Sequence, residues 1–131
     1  RTLMELMGTT AQDYTHAVFH QPNVKFPSRA AQMLGFNDEQ IKHGLLAGEI
    51  GNVYSGSCMT GLTAILDIAK AGDRILMVSY GSGAGSDSFD LVVTDLIEAA
   101  RHRAPSTWDY INRRTVIDYA TYCRYRGKLK D

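Results

Sequence analysis

The sequence has little cysteine and no long apolar run. Its two cysteines, Cys58 and Cys123, stand far apart, with no CxxC pair and no histidine cluster, so neither a disulfide scaffold nor a zinc site is indicated. No apolar run approaches the roughly 20 residues that a membrane-spanning helix needs, and no cleavable leader pattern opens the chain. We therefore expect a cytoplasmic protein with no membrane partner and no metal centre.

The chain also lacks a methionine at position 1. Its first residues, RTLMELMG, are typical of the last turns of a helix, with Gly8 just past the helix end. The 131 residues have the size of one domain, residues 1–131. We expect this domain to be the downstream part of something longer, or one piece of a divided protein.

The chain has no net charge, yet the two signs are separated along it. Residues 1–100 contain six Lys/Arg and eleven Asp/Glu, whereas residues 101–131 contain eight and three. Two interpretations stay open. The basic end could be a surface for a polyanion, or it could be a basic last helix whose charges suit the helix dipole and solubility.

Apolar spacing predicts an α/β protein with a mixed sheet. Three strand-like runs, THAVFHQ, RILMVSYGSG and SDSFDLVVTD, alternate with helical patterns. The loop YGSGAGS is short enough to make the last two strands an antiparallel pair. The predicted later helices are SRAAQMLG ending at Gly35, NDEQIKHGLL capped by Asn37 with Gln40, residues 57–70, and residues 106–130 capped by Ser106.

The helix predicted for residues 57–70 has small residues on all sides of its first turns. Such residues let other backbones approach closely, so we expect this helix to lie deep between layers. The small residues are Gly56, Ser57, Cys58, Thr60, Gly61, Thr63 and Ala64.

Three polar loops are richer in glycine, serine and asparagine than plain connections need: FHQPNVK at 19–25, GNVYSGS at 51–57 and YGSGAGS at 80–86. Taken singly, each has a structural explanation, because His20 could simply end a strand, Asn52 could be a turn residue, and the glycines could serve a hairpin. No loop satisfies the dinucleotide fingerprint, the P-loop or the nucleophile elbow.

Together the three loops resemble a known pattern. The segments FHQPNVKFP, GNVYSGSCMTGLTAILDIAKAGDRI and VSYGSGAGSDSFDLVVTD, with the ending DYATYCRYRGKLK, are similar to the carboxyl-terminal half of thiolase-superfamily condensing enzymes, and within them to archaeal-type hydroxymethylglutaryl-CoA synthases. The resemblance covers nearly the whole chain. It implies condensation of acetyl-CoA with acetoacetyl-CoA, as substrates rather than cofactors, to 3-hydroxy-3-methylglutaryl-CoA in the mevalonate pathway to isoprenoids.

The resemblance also implies roles for individual residues. His20 and Asn52 correspond to the pair of neutral donors that hold the acetoacetyl carbonyl, and Ser82 to the turn whose backbone N–H helps form an oxyanion hole. Lys25 corresponds to a lysine near the CoA path, where an ammonium can meet a phosphate. Expected substrate contacts also come from Tyr54, Gly81 and Gly83.

The nucleophilic cysteine and the acid/base glutamate of such enzymes belong to the amino-terminal half, and neither has a counterpart here. Cys58 and Glu49 are not candidates for these roles. The fold implied is the carboxyl-terminal part of a five-stranded mixed-sheet half, βαβαβαββ. We expect only its third strand and its last two, with two strands missing between them, so that the sheet is incomplete and leaves unpaired edges without a partner.

The implied partner is a chain carrying the amino-terminal half with the catalytic Cys and Glu. The resemblance further implies an oligomer with an acetoacetyl-CoA thiolase and an OB-fold scaffold protein, and no nucleic acid. Two alternatives stay open. One is a condensing enzyme like β-ketoacyl carrier-protein synthase III, and the other is a non-catalytic scaffold subunit of a thiolase/synthase complex.

Overall fold

A computed structural model describes residues 1–83 and 85–129 of the chain. Two predicted elements therefore extend past what is described. The turn predicted at 80–86 includes Ala84, and the last predicted helix runs to Lys130; both of these positions lie outside the described residues. Within the described residues, no helix is long and apolar enough to cross a membrane.

The described chain forms a three-stranded mixed sheet in the order β1-β2-β3. The strands are β1 (His16–Phe19), β2 (Arg74–Val78) and β3 (Ser88–Val92). β1 runs parallel to β2, and β3 is antiparallel to β2. This confirms the predicted α/β class, the mixed sheet and the final hairpin.

One expectation about the sheet is wrong for this chain. The resemblance predicts two missing strands between β1 and the hairpin, but β1 pairs directly with β2 along four residues, from His16 opposite Ile75 to Phe19 opposite Val78. All four residues of β1 are buried, and buried backbone groups must find partners. In this chain β2 supplies them.

Helices surround the sheet, and several begin or end where the sequence predicts. Gly8 and Gly35 follow helix ends in the left-handed conformation, while Asn37 and Ser106 each form a capping box at a helix start. The helices are α1 (Thr2–Met7), α2 (Lys25–Leu34), α3 (Asp38–Ile41), α4 (Ala47–Ile50), α5 (Ser57–Leu66), α6 (Ile97–Arg101), α7 (Thr107–Asn112) and α8 (Tyr119–Tyr125).

Several helix boundaries differ from the prediction, among them the end of α3, which lies at Ile41 rather than near Leu46. α2 begins at Lys25 rather than near Ser28, because the Asn23 side chain accepts a hydrogen bond from the Phe26 N–H at 3.0 Å and starts the helix earlier. α5 ends at Leu66, where the backbone tightens into i, i+3 bonds such as Ile68 N–H to Ile65 O at 3.0 Å.

The predicted last helix is two helices, α7 and α8, separated by residues 113–118. Asp118 adopts an extended backbone conformation, and its carboxylate accepts a hydrogen bond from the Thr121 N–H at 2.7 Å. The segment before it contains three consecutive β-branched residues, Thr115, Val116 and Ile117, which disfavour continuation of a helix. Asp118 therefore caps a new helix.

The sheet is covered on both faces. On one face Ala17, Phe19 and Leu76 pack in a cluster with residues of α1, α2 and α3. On the other face Val18 and Ile75 pack against α5. α5 is also covered on its outer side, where α7 contributes to a third small cluster. The deep position predicted for this helix holds for one side only. Ser57, Cys58, Gly61, Ala64 and Ile65 are buried, whereas Met59 is 54% exposed and Thr63 is also exposed.

Candidate active site

His20 directly follows β1, at the carboxyl end of the strand. Its backbone N–H donates to the Val78 carbonyl at 2.8 Å, which continues the β1–β2 ladder by one residue. The half-buried side chain has its Nδ1 3.0 Å from the Ser57 hydroxyl. Its ring also lies 5.6 Å, centroid to centroid, from that of Tyr80. The imidazole is therefore fixed by contacts from α5 and from the end of β2.

Gln21 forms the framework beneath this histidine. The residue is only 2% exposed, and its carbonyl Oε1 accepts from the N–H groups of Leu46 at 2.7 Å and Ala47 at 2.8 Å. Its Nε2 donates to the carbonyls of Gly44 at 2.7 Å and Ser57 at 3.3 Å. The sequence pattern predicts no role for Gln21. Its partners are backbone groups 23 to 36 residues away, which leave no local signal.

The hairpin turn lies beside His20, at the end of β2. Gly81 and Gly85 exchange backbone hydrogen bonds of 2.9 and 3.3 Å, and Ser82 is exposed between them. Gly83 has a φ of +75°, a conformation that disfavours side chains. The glycine-rich turn thus offers an open backbone surface, as an oxyanion donor at Ser82 requires.

The loop at 51–57 is held mainly by its own bonds. The Asn52 Oδ1 accepts from the Tyr54 N–H at 2.8 Å, and Tyr54 adopts a φ of +52°, rare for an aromatic residue. Both side chains are exposed, Tyr54 by 75%. Because the Asn52 oxygen is used within the loop, the amide nitrogen remains as the donor. Within the described residues, no hydrogen bond links Asn52 to His20.

Two neighbouring cavities join these features. One of about 450 Å³ is largely apolar and is lined by His20, Phe26 and the base of the hairpin. The other, of about 430 Å³, is more polar and lies between Ser55 and the hairpin turn. Both cavities are lined by Ser79, Tyr80 and Ser86. The structure thus brings His20 near Gly81 of the glycine turn. The other predicted site residues line neither cavity: Lys25, Asn52, Tyr54, Ser82 and Gly83.

A larger groove of about 860 Å³ lies elsewhere, between α5, α6 and α7. None of the predicted site residues lines this groove. It is mostly apolar with an arginine rim, and we assign the candidate site to the smaller cavities because His20 and the turn backbone face them.

Cys58 and Glu49 have structural surroundings. The Cys58 thiol is fully buried and donates to the Val78 carbonyl at 3.3 Å. Burial raises its pKa to about 11, against a smaller lowering by that bond, so almost no reactive thiolate exists near neutral pH. The Glu49 carboxylate pairs with Arg114 at 2.7 Å. Lys25, at the start of α2, is exposed, as a contact to a phosphate requires.

Residues 4–89 match the family described as 3-Oxoacyl-[acyl-carrier-protein (ACP)] synthase III C terminal. The hydroxymethylglutaryl-CoA synthase of Thermococcus kodakarensis is 61% identical over 128 residues, which are 98% of this chain and 37% of that protein. The protein of the same name from Methanocella arvoryzae is 56% identical over 129 residues, with the same coverage. The chain thus spans little more than a third of the length of these curated relatives.

Solved structures share the fold. A structure titled HMG_CoA synthase complexed with CoA matches 92% of this chain and 34% of its own, with a TM-score of 0.65 and 24% identity. The protein smu.943c from Streptococcus mutans UA159 matches 94% of this chain, also with a TM-score of 0.65 and 24% identity. The three-stranded sheet and its helices therefore correspond to part of a larger fold.

Proposed function

We propose, because the chain belongs to the family of 3-oxoacyl-[acyl-carrier-protein (ACP)] synthase III C-terminal domains, that it forms part of a hydroxymethylglutaryl-CoA synthase. Archaeal proteins of that name are 55 to 61% identical to it over most of its length. The reaction is the condensation of acetyl-CoA with acetoacetyl-CoA to 3-hydroxy-3-methylglutaryl-CoA. The observation that carries the proposal is the position of His20, at a strand end and facing the cavity beside the glycine turn.

His20 and Asn52 act in this proposal as neutral donors to the ketone oxygen of acetoacetyl-CoA. Negative charge develops on this oxygen as the acetyl carbon adds to the carbonyl, and donors already in place stabilise that charge. The lining around His20, with Phe26 and Tyr80, is apolar, and an apolar surrounding strengthens such bonds where water is kept out. Since Asn52 lies on an exposed loop, its approach to the oxygen is the less constrained of the two.

The remaining contacts follow the same assignment. The backbone at Ser82 donates to the thioester oxyanion, and the flanking Gly81 and Gly83 leave room for the acyl group. Lys25 meets a phosphate of CoA, and Tyr54 borders the substrate path. The acetyl-carrying cysteine and the acid/base glutamate come from the portion of the relatives that this chain does not span.

The partners in this proposal are a chain with that amino-terminal portion, an acetoacetyl-CoA thiolase and an OB-fold scaffold protein, together forming a cytoplasmic complex. Co-purification of tagged chain from its source, followed by sequencing of the bound proteins, tests each of them. Recovery of the chain without any companion would contradict this part of the proposal.

The activity is tested with this chain assembled with the amino-terminal portion. Loss of one oxyanion donor typically costs about 3 kcal/mol, so His20→Ala should lower kcat by about a hundredfold in the condensation of acetyl-CoA with acetoacetyl-CoA. His102→Ala is the matched control, since His102 is exposed at the end of α6. Equal activity in the two variants would refute the catalytic assignment.

A second candidate is supported by the family description itself, which names a carrier-protein synthase. A condensing enzyme of that type would extend a carrier-bound acyl chain instead of acetoacetyl-CoA. The assembled protein is therefore assayed in two mixtures. One contains acetyl-CoA and acetoacetyl-CoA, and the other contains acetyl-CoA and a malonyl carrier protein. Turnover with only the second acceptor would favour this candidate.

A further inference from the structure

The Ser57 hydroxyl has a defined hydrogen-bonding pattern beside His20. Ser57 is the first residue of α5 and is only 2% exposed. Its Oγ accepts a hydrogen bond from the Gln21 backbone N–H at 3.1 Å and lies 3.0 Å from the His20 Nδ1. The hydroxyl has one hydrogen to donate, and among the described residues Nδ1 is the acceptor within reach of it.

This pattern distinguishes the two neutral forms of the imidazole. With the ring proton on Nε2, the Ser57 hydroxyl donates to Nδ1 and accepts from Gln21, so that every polar atom of the group is satisfied. With the proton on Nδ1, that N–H would also point at the hydroxyl oxygen, and the buried hydroxyl hydrogen would have no acceptor. A buried donor without a partner is unfavourable.

We propose that Ser57 is a positioning residue that holds the His20 proton on Nε2, the ring nitrogen on the side away from α5. In that form His20 presents an N–H donor to the cavity. The inference rests on the proposed function, which needs His20 as a neutral donor to the substrate carbonyl. Ser57 itself touches neither the substrate nor the reacting atoms.

A purely structural role for Ser57 predicts something different. If its hydroxyl served only as an acceptor for Gln21, its removal would loosen the end of β1 and leave the position of the His20 proton unchanged. Cys58→Ala provides a matched control for packing. Cys58 is the next residue of α5, is fully buried and also loses one heavy atom, but its thiol bonds to Val78 rather than to His20.

The direct test is nitrogen NMR of the ¹⁵N-histidine-labelled chain at a pH where the imidazole is neutral, with the His20 signals identified by their loss in His20→Ala. We expect the proton on Nε2 in the unsubstituted chain and in Ser57→Thr and Cys58→Ala. In Ser57→Ala we expect a mixture of the two forms. A proton on Nδ1 in the unsubstituted chain would overturn the inference, even if no variant folds.

The kinetic test uses the chain assembled with the amino-terminal portion. Ser57→Ala should lower kcat about tenfold while KM changes less than about twofold, since one hydrogen bond is lost, and Ser57→Thr should restore most of the rate. An Ser57→Ala enzyme with unchanged kcat, or one no slower than Cys58→Ala, would contradict the inference. If His20→Ala is fully active, the proposed function fails, whereas the NMR result still decides the tautomer.

Discussion

Replacing Gly61 by alanine should destabilise the protein, although alanine is the better helix former. Gly61 lies in the middle of α5, where β1 and the chain before α4 approach the helix closely. A Cβ atom at this position would lie 2.5 Å from the Gly44 carbonyl oxygen, 2.6 Å from the Val18 Cγ2 and 3.0 Å from the Gln21 Nε2. The first of these atoms belongs to the backbone and cannot move away by rotating a side chain.

The net effect is the balance of three terms. Alanine gains about 1 kcal/mol over glycine in a helix interior. Inserting a methyl group into a tightly packed site costs about 1–3 kcal/mol. The Gly44 carbonyl also accepts a hydrogen bond from the Gln21 Nε2 at 2.7 Å. Displacing this carbonyl would strain that buried bond, which adds a further cost of about 1 kcal/mol. We expect a net loss of about 2 kcal/mol in the free energy of unfolding.

Urea denaturation followed by the fluorescence of Trp108, the single tryptophan, measures this loss. Gly56→Ala is the matched control, because Gly56 has helical dihedral angles and nothing within 4 Å of an added Cβ. It should be neutral or slightly stabilising. If Gly61→Ala proved as stable as Gly56→Ala, the close approach of the Gly44 backbone to α5 at Gly61 would be refuted.

Three further predictions concern single side chains. Asp90→Asn should cost about 2–3 kcal/mol at neutral pH, because Asp90 accepts two hydrogen bonds from Arg74, of 2.7 and 2.8 Å, in a largely buried pair. The Arg74 bonds also lower the Asp90 pKa, so the difference in urea midpoint between the two proteins should persist above about pH 4 and shrink as the pH falls further. Cys58, with its pKa of about 11, should resist iodoacetamide at pH 8 in the native protein and react in urea, as mass spectrometry of the peptides would show; rapid native labelling would contradict its burial. Tyr54→Gly should raise the thermal midpoint slightly, since glycine relieves about 1 kcal/mol of strain at a φ of +52°, and a lower midpoint would show that the tyrosine side chain stabilises the loop.

Local signals were sufficient for much of the fold. Gly8 and Gly35 end helices and Asn37 and Ser106 begin them because each acts on backbone groups within a few residues, which the sequence displays directly. The final hairpin was equally local. Apolar periodicity carried the last predicted helix past Asp118, however, because a repeat at i, i+3 and i+4 does not reveal where a cap restarts the helix.

The pairing of strands that are distant in the chain was harder to predict from the sequence. The direct contact of β1 with β2 joins segments nearly 60 residues apart in the chain. The sequence of neither strand indicates which strand it pairs with. The expected gap came from a resemblance to a larger sheet, whereas the pairing in this chain is decided by which strand can satisfy the backbone of β1. Gln21 is a similar case, since its four backbone partners become neighbours only after the chain has folded.

The two predicted donors are held in different ways, and this difference has a consequence for the site. His20 is attached to the sheet through its own backbone and to α5 through Ser57, so the core of the domain determines its position. Asn52 lies in an exposed loop whose bond to Tyr54 is local. Charge stabilisation depends on donors that need no rearrangement when the charge forms. His20 meets this condition within the described chain, whereas Asn52 depends on whatever covers its loop. Under the proposed function, the portion of the family fold that this chain does not span would therefore fix the position of Asn52 as well as supply the thiol.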